Sequence, residues 1–372
     1  MIRVSNMAAG RAPALRRAIL FLVGLLLLSP MMTGATGTIE MGATRTVTDA
    51  LGREVEIPEH PQRIVTAGRA VLMIANALYL FPGVEDRIVG IGRIDQGKGN
   101  FLAAIDPDYD RKASFERNVG AEQVVGVNPD LVILKSELRR GLGEELERLG
   151  IAVVYVDFET PEQYQRDLRL LGRVLGQPER GESLARYYER ETERIVAAVS
   201  GAEERPRTLF LYADLAGAER VFNVPPSGWI QTTMVELAGG EPVWADAAPG
   251  GGWSRVGLEQ IAAWDPDLIV LVAYRQDVEA IRDSLAGHPT WAPLAAVRND
   301  ALHTFPLDYY SWDQPDVRWI LGLKWLARTL HPRLADEGDI RSAIYEFFTF
   351  AYRMTRREID ALVISNLQGV TR

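Results

Sequence analysis

A 16-residue block occurs twice in this chain, and no other feature of the sequence constrains the fold as tightly. Val119-Gly-Ala-Glu-Gln-Val-Val-Gly-Val-Asn-Pro-Asp-Leu-Val-Ile-Leu134 returns 137 residues later as Val256-Gly-Leu-Glu-Gln-Ile-Ala-Ala-Trp-Asp-Pro-Asp-Leu-Ile-Val-Leu271, with 8 of 16 positions identical. Each copy reads as a short helix carrying Glu122 or Glu259, then an Asn/Asp-Pro-Asp turn, then an apolar run of strand type. Such a run needs both faces covered, which a parallel sheet between helical layers provides. The duplication therefore predicts an α/β fold: two doubly wound lobes joined by a long rigid helix, with a ligand cleft between the lobes.

The stretches around the two copies read consistently with that plan. Residues 44–58 alternate apolar and polar about an Ala-Leu-Gly-Arg turn and predict a β-hairpin. A buried strand at 61–66, a helix at 70–81, a strand at 88–92 and, after the first repeat, a helix near 139–149 and a strand at 151–156 complete an N-terminal lobe over 44–160. A helical linker follows over 161–205, interrupted only near Gly176-Gln-Pro178. Helical linkers are semi-rigid, so the lobes are expected to move little against each other. The C-terminal lobe spans 206–330 and ends in an apolar helix whose start is signalled by Pro315 and Asp316. A helical extension occupies 331–372, with Thr355-Arg-Arg-Glu358 as a capping box.

The ends and the composition narrow the class. Residues 1–35 contain Arg3, Arg11, Arg16 and Arg17, no acid, and an apolar stretch from Ala18 to Leu28, the pattern of a signal peptide. Its removal would make the net charge of −9 more negative by four. Left in place, the same segment would anchor the protein to the membrane. An acidic chain has no electrostatic case for nucleic acid. There is no cysteine, which removes disulfides, thiol nucleophiles, thiolate metal sites and lipid attachment at a leader cysteine. The four histidines, His60, His288, His303 and His331, are scattered, and neither a phosphate-binding loop nor a nucleophile elbow is present. No catalytic residue, resident metal or cofactor is expected.

The ordered set of these features resembles the helical-backbone class of ABC-importer substrate-binding proteins. The residues that carry the resemblance are Asp49-Ala-Leu-Gly-Arg-Glu-Val-Glu-Ile-Pro58, Pro61-Gln-Arg-Ile-Val65, the two Glu-bearing repeats and the helical linker. Tyr345-Glu-Phe-Phe-Thr-Phe-Ala-Tyr352 is similar to C-terminal helices of members that take up iron complexes. The resemblance implies a periplasmic protein that hands a ferric siderophore, haem, corrinoid or, in one branch, molybdate or tungstate to an ABC permease dimer with its ATPase. It implies that Glu122 and Glu259 dock onto arginines of the permease. It also places Trp253 in the cleft as an aromatic ligand contact, whereas the first-lobe counterpart is Glu116, flanked by Phe115 and Arg117.

Other candidate ligand contacts follow from their positions on loops at strand ends. They are Arg69, Arg93, Arg117 and Lys135 in the first lobe, and Tyr212, Tyr274, Arg275, Tyr309, Tyr310 and Trp312 in the second. Cations paired with aromatics suit an anionic ligand with a flat or apolar body, such as a metal chelate. A bare oxyanion is the alternative, and an exported ligand sensor of the same fold is a third reading. Trp319 and Trp325 lie on an apolar helix and read as core.

Overall fold

The computed structural model describes residues 43–94, 97–214, 221–248, 250–334 and 339–370, so the expected signal peptide lies outside the described residues. No helix among the described residues is long and apolar enough to cross a membrane. The chain opens on an antiparallel hairpin, β1 (Thr44–Thr48) and β2 (Glu54–Pro58). The turn is held by Asp49. Its carboxylate accepts from the Leu51 and Arg53 amides at 3.0 and 3.1 Å and from the Arg53 guanidinium at 2.8 Å. Arg53 reaches on to Glu147 and to the carbonyl of Val153, so the Asp-Ala-Leu-Gly-Arg motif fastens the hairpin to the first lobe.

The first lobe is a five-stranded sheet built from β3 (Ile64–Thr66), β4 (Ile88–Gly92), β5 (Ala113–Phe115), β6 (Leu131–Lys135) and β7 (Val153–Val156). The order is β5-β4-β3-β6-β7, with every neighbour parallel. Alternate side chains of one strand enter different cores. Leu131 and Ile133 join the large cluster on one face, Val132 and Leu134 the smaller one on the other. This is why the repeat carries an unbroken apolar run.

The second lobe holds β8 (Arg207–Asp214), β9 (Val221–Val224), β10 (Glu241–Pro242), β11 (Ser254–Val256), β12 (Leu268–Val272) and β13 (Leu302–Thr304). Its path is β11-β9-β8-β12-β13, with β10 also on β8. The duplication predicts a parallel sheet here, but this sheet is mixed. Strands β8, β12 and β13 are parallel, whereas β9 runs antiparallel to β8 and β11 antiparallel to β9. The link from β8 to β9 is too short for a crossover, so the chain must reverse.

The two repeats fold alike, down to their turns. Asn128 and Asp265, equivalent positions before the proline, both adopt left-handed backbone with φ of 50° and 43°, a conformation Asn and Asp tolerate best after glycine. Asp130 accepts from the Gln62 and Arg63 amides at 2.6 and 2.9 Å, and Asp267 from the Arg207 amide at 2.9 Å. Arg63 and Arg207 return the contact by donating to carbonyls at the end of the repeat's helix, at Asn128 and Trp264. The Pro-Asp element is thus a clamp that fixes each repeat to the neighbouring central strand.

Between the sheets the helical segment is a pair, Pro161–Leu175 and Pro178–Val199. Gly176 at φ 74° ends the first and Pro178 starts the second, and the helices fold back on each other where Gly172 meets Gly181. The helix expected to start near Pro315 begins at Trp319, because residues 306–318 are committed to a long-range seam. In that seam Arg318 is fully buried and paired with Asp308 at 2.8 Å and Asp316 at 2.9 Å, both also fully buried. Its guanidinium lies 4.5 to 5.4 Å from the ring centres of Phe101, Tyr310 and Phe348. The helices Ile340–Tyr352 and Arg356–Leu362 pack across this junction, and the capping box at Thr355 and Glu358 is formed. Arg180 of the helical pair donates to Leu80 in the first lobe and to Phe350 and Ala351 in the extension.

Candidate functional site

The C-terminal ends of the two sheets face each other. The loop after β4 meets the loop after β13, where the Lys98 amide donates to the Tyr309 carbonyl at 2.8 Å and the Phe101 amide to the Tyr310 hydroxyl at 3.1 Å. Loops at strand C-termini are where open α/β sheets bind ligands.

The second-lobe edge carries four aromatics in mutual contact. Tyr212 stacks on Tyr274 at 5.1 Å and 24°, and Trp253 lies 5.2 Å from Tyr212. Trp229 meets Trp253 edge to face at 5.6 Å and 90°. All four are only partly buried, so the group presents a solvent-facing aromatic wall. Burial pushes the Tyr274 hydroxyl well above its ordinary value, and the adjacent Asp313 adds to this. That phenol is therefore a neutral donor at any physiological pH.

Trp229 is the member that the sequence reading missed. Its signal is Pro225-Pro-Ser-Gly-Trp229 between a strand and a helix, the same kind of glycine-bearing approach as Gly250-Gly-Gly-Trp253. Asp313 and Gln231, both buried, were missed as well. Tyr274 donates to Asp313 at 2.8 Å and Gln231 donates to it at 3.2 Å.

The first-lobe edge is basic. Arg69, Arg93 and Arg117 sit on its loops and are exposed, but Arg93 is paired with Glu116 at 3.1 Å. Arg275 is exposed at the end of β12, next to Tyr274.

Three expected contacts need correction. Lys135 is buried, with its ammonium on Glu159 and the Asp157 carbonyl. Burial holds the Glu159 carboxyl above its usual range even with that lysine beside it. Trp312 and Tyr310 are fully buried, and Tyr310 belongs to the seam under Arg318. Long-range packing of the 306–318 segment encloses these rings, so they have no open face for a ligand. Tyr309 is half-buried, packed on Phe101 at 5.6 Å. Trp319 and Trp325 are core, as read.

Glu122 and Glu259 are exposed in the first turns of the helices Ala121–Val125 and Leu258–Trp264. Each follows a glycine that starts its helix in extended backbone, so the two repeats present their acids in the same local setting. No group of His, Asp or Glu that could hold a metal is present among the described residues.

Comparison with known proteins places this arrangement. The molybdate-binding protein MolA of Haemophilus influenzae is 23% identical over 345 residues, covering 86% of this chain and 94% of MolA. The vitamin B12-binding protein of Salmonella typhimurium is 28% identical over 223 residues, covering 59% of this chain and 76% of that one. Among solved structures, a periplasmic solute-binding protein of Veillonella parvula superposes with a TM-score of 0.70 at 24% identity, over 87% of this chain and 98% of that one. MolA bound to molybdate superposes with a TM-score of 0.67 at 21% identity, over 84% of this chain and 98% of that one. The family described as periplasmic binding protein matches residues 64–309, and this chain belongs to it.

Proposed function

We propose that the protein is the exported substrate-binding component of an ABC importer, which captures a metal chelate such as a ferric siderophore, haem or a corrinoid in the cleft and delivers it to the permease. The observation that carries the ligand class is the four-ring wall of Tyr212, Trp229, Trp253 and Tyr274. It offers flat apolar contact that a tetrahedral anion cannot use. Exposed Arg69 and Arg117 on the opposite edge complement carboxylates or oxygen donors of the ligand.

A second reading, a molybdate or tungstate carrier, is favoured by one specific observation: the likeness to MolA runs over 94% of that protein, against 76% of the vitamin B12-binding relative. Titration calorimetry with molybdate, tungstate, cyanocobalamin, haem and ferric hydroxamate and catecholate chelates separates the two. Submicromolar binding of an oxyanion with no binding of the chelates refutes the chelate reading. Trp253→Ala should weaken a chelate by about 1–3 kcal/mol through lost stacking and burial, and an oxyanion far less.

Delivery rests on Glu122 and Glu259, exposed at equivalent positions of the two repeats and suited to a two-fold symmetric partner. The Glu122→Ala/Glu259→Ala variant should bind ligand as before and fail to stimulate the importer's ATPase. Undiminished stimulation would leave both residues as acids that merely complement a helix dipole.

A further inference from the structure

We propose that Asp313 is the positioning residue of the aromatic wall, setting the orientation of the rings that meet the ligand without touching the ligand itself. The inference rests on the proposed reading of that wall as ligand-facing. One carboxylate oxygen of Asp313 receives both the Tyr274 hydroxyl at 2.8 Å and the Gln231 side-chain amide at 3.2 Å. These two donors come from different elements, Tyr274 from the loop after β12 and Gln231 from the helix that follows β9. Tyr274 stacks on Tyr212, so its hydroxyl bond fixes the tilt of that pair. Gln231 is the second residue of the helix Ile230–Leu237, whose N-cap is Trp229, the ring set edge to face against Trp253. A single fully buried carboxylate therefore references all four rings.

The other Asp313 oxygen is buried with only the neighbouring Ser311 side chain and its own backbone beside it, and makes no well-formed hydrogen bond among the described residues. A buried carboxylate left partly unsatisfied is a poor source of stability, and an apolar side chain of similar size would suit the core better. Orientation is the role left for it. Asp313 is also mounted on a firmly held stretch. The Pro315 carbonyl accepts from the Tyr164 hydroxyl at 3.1 Å and the Val317 carbonyl from Tyr188 at 2.6 Å, both on the helical pair. The wall is thereby oriented against the element that joins the lobes.

The test compares Tyr274→Phe, Asp313→Ala, Asp313→Asn and the Tyr274→Phe/Asp313→Ala double variant, with Trp253→Ala as control. Cyanocobalamin, a ferric tris-catechol chelate and molybdate are each titrated, and near-ultraviolet circular dichroism of the ligand-free protein reads the packing of the rings. Tyr274→Phe and Asp313→Ala should each lower chelate affinity roughly tenfold, the value of one charge-assisted hydrogen bond, with a matching loss of near-ultraviolet signal. The double variant should be little worse than either single one. Asp313→Asn, whose amide oxygen still accepts from Tyr274, should keep most of the affinity. If Asp313→Ala does not fold, Tyr274→Phe alone decides through the same two readouts. Unchanged affinity and an unchanged spectrum in Tyr274→Phe, or additive losses in the double variant, overturn the positioning role. If Trp253→Ala alters no probe while the Tyr274→Phe spectrum still changes, the ligand reading has failed, and the role of Asp313 in binding with it.

Discussion

The buried charges of the seam give the sharpest test of what holds the lobes together, and Arg318→Met is the perturbation. Arg318, Asp308 and Asp316 have fully buried side chains, and the guanidinium makes one bond of 2.8 Å and one of 2.9 Å to the two carboxylates. Methionine fills most of the volume but leaves two carboxylates without a cation. Removing one partner of a buried ionic group costs about 3–5 kcal/mol. At roughly 2 cal/mol/K of unfolding entropy per residue, a chain of this size loses about 1.5 °C of Tm per kcal/mol, so the fall should be about 4–8 °C. Differential scanning calorimetry at neutral pH measures it. The charge-free variant Arg318→Met/Asp308→Asn/Asp316→Asn should recover most of the loss, since no uncompensated charge remains buried. Arg318→Lys should fall between, because an ammonium cannot form the two-pronged contact. A melting point for Arg318→Met within about 1 °C of wild type, or a triple variant worse than the single one, would refute the reasoning.

Two further outcomes follow from the same kind of argument. Asp130→Ala removes two bonds to backbone amides and Asp267→Ala one, so chemical denaturation should show losses of about 1–2 and about 0.5–1 kcal/mol respectively, and the reverse ranking would contradict the clamp. Burial raises the Asp313 carboxyl above its unfolded value, so the folded protein binds this proton more readily than the unfolded chain. Its contribution must therefore make stability rise as pH falls from neutrality through the raised value. Comparison of melting curves with Asp313→Asn should show a shallower acid-side gain in the variant, and parallel curves would remove the assignment.

What could be read from the sequence was what depends on local pattern. The repeat announces itself because a strand covered on both faces is built of apolar residues in sequence, as in Leu268–Val272 and in Leu131–Lys135 up to its final, ion-paired lysine. The capping box at Thr355 and the break at Gly176 are likewise local. The 306–318 segment is the opposite case. Asp308, Asp313, Asp316 and Arg318 look like a solvated loop, yet all four are buried: Arg318 pairs with Asp308 and Asp316 under Phe101, Asp313 accepts from Tyr274 and Gln231, and Tyr164 and Tyr188 hold the intervening backbone at Pro315 and Val317. For the same reason Trp312 and Tyr310 read as ligand contacts and are core. The mixed second sheet was missed because strand direction is set by the connection, which leaves no mark in a three-residue strand such as β11. Trp253 was found by resemblance, and its partner Trp229 was passed over.

The Pro-Asp clamps also bear on how the chain assembles. Asp130 closes onto Gln62 across 68 residues and Asp267 onto Arg207 across 60, so each half completes its own sheet by contacts internal to that half. The seam spans far more: Phe101 meets Tyr310 across 209 residues, and Asn76 meets Tyr352 across 276. Contacts between distant residues form later, because the chain entropy of closing them must be met before they give anything back. Arg318 and its two aspartates lie within ten residues of one another, so their pairing is local; their cover by Phe101 from the first lobe and Phe348 from the extension needs both halves and the last helices to have come together. The seam is therefore expected to be the last part to form and the first to open, and amide exchange in which residues 306–318 are protected as well as the central strands of either sheet would contradict that order.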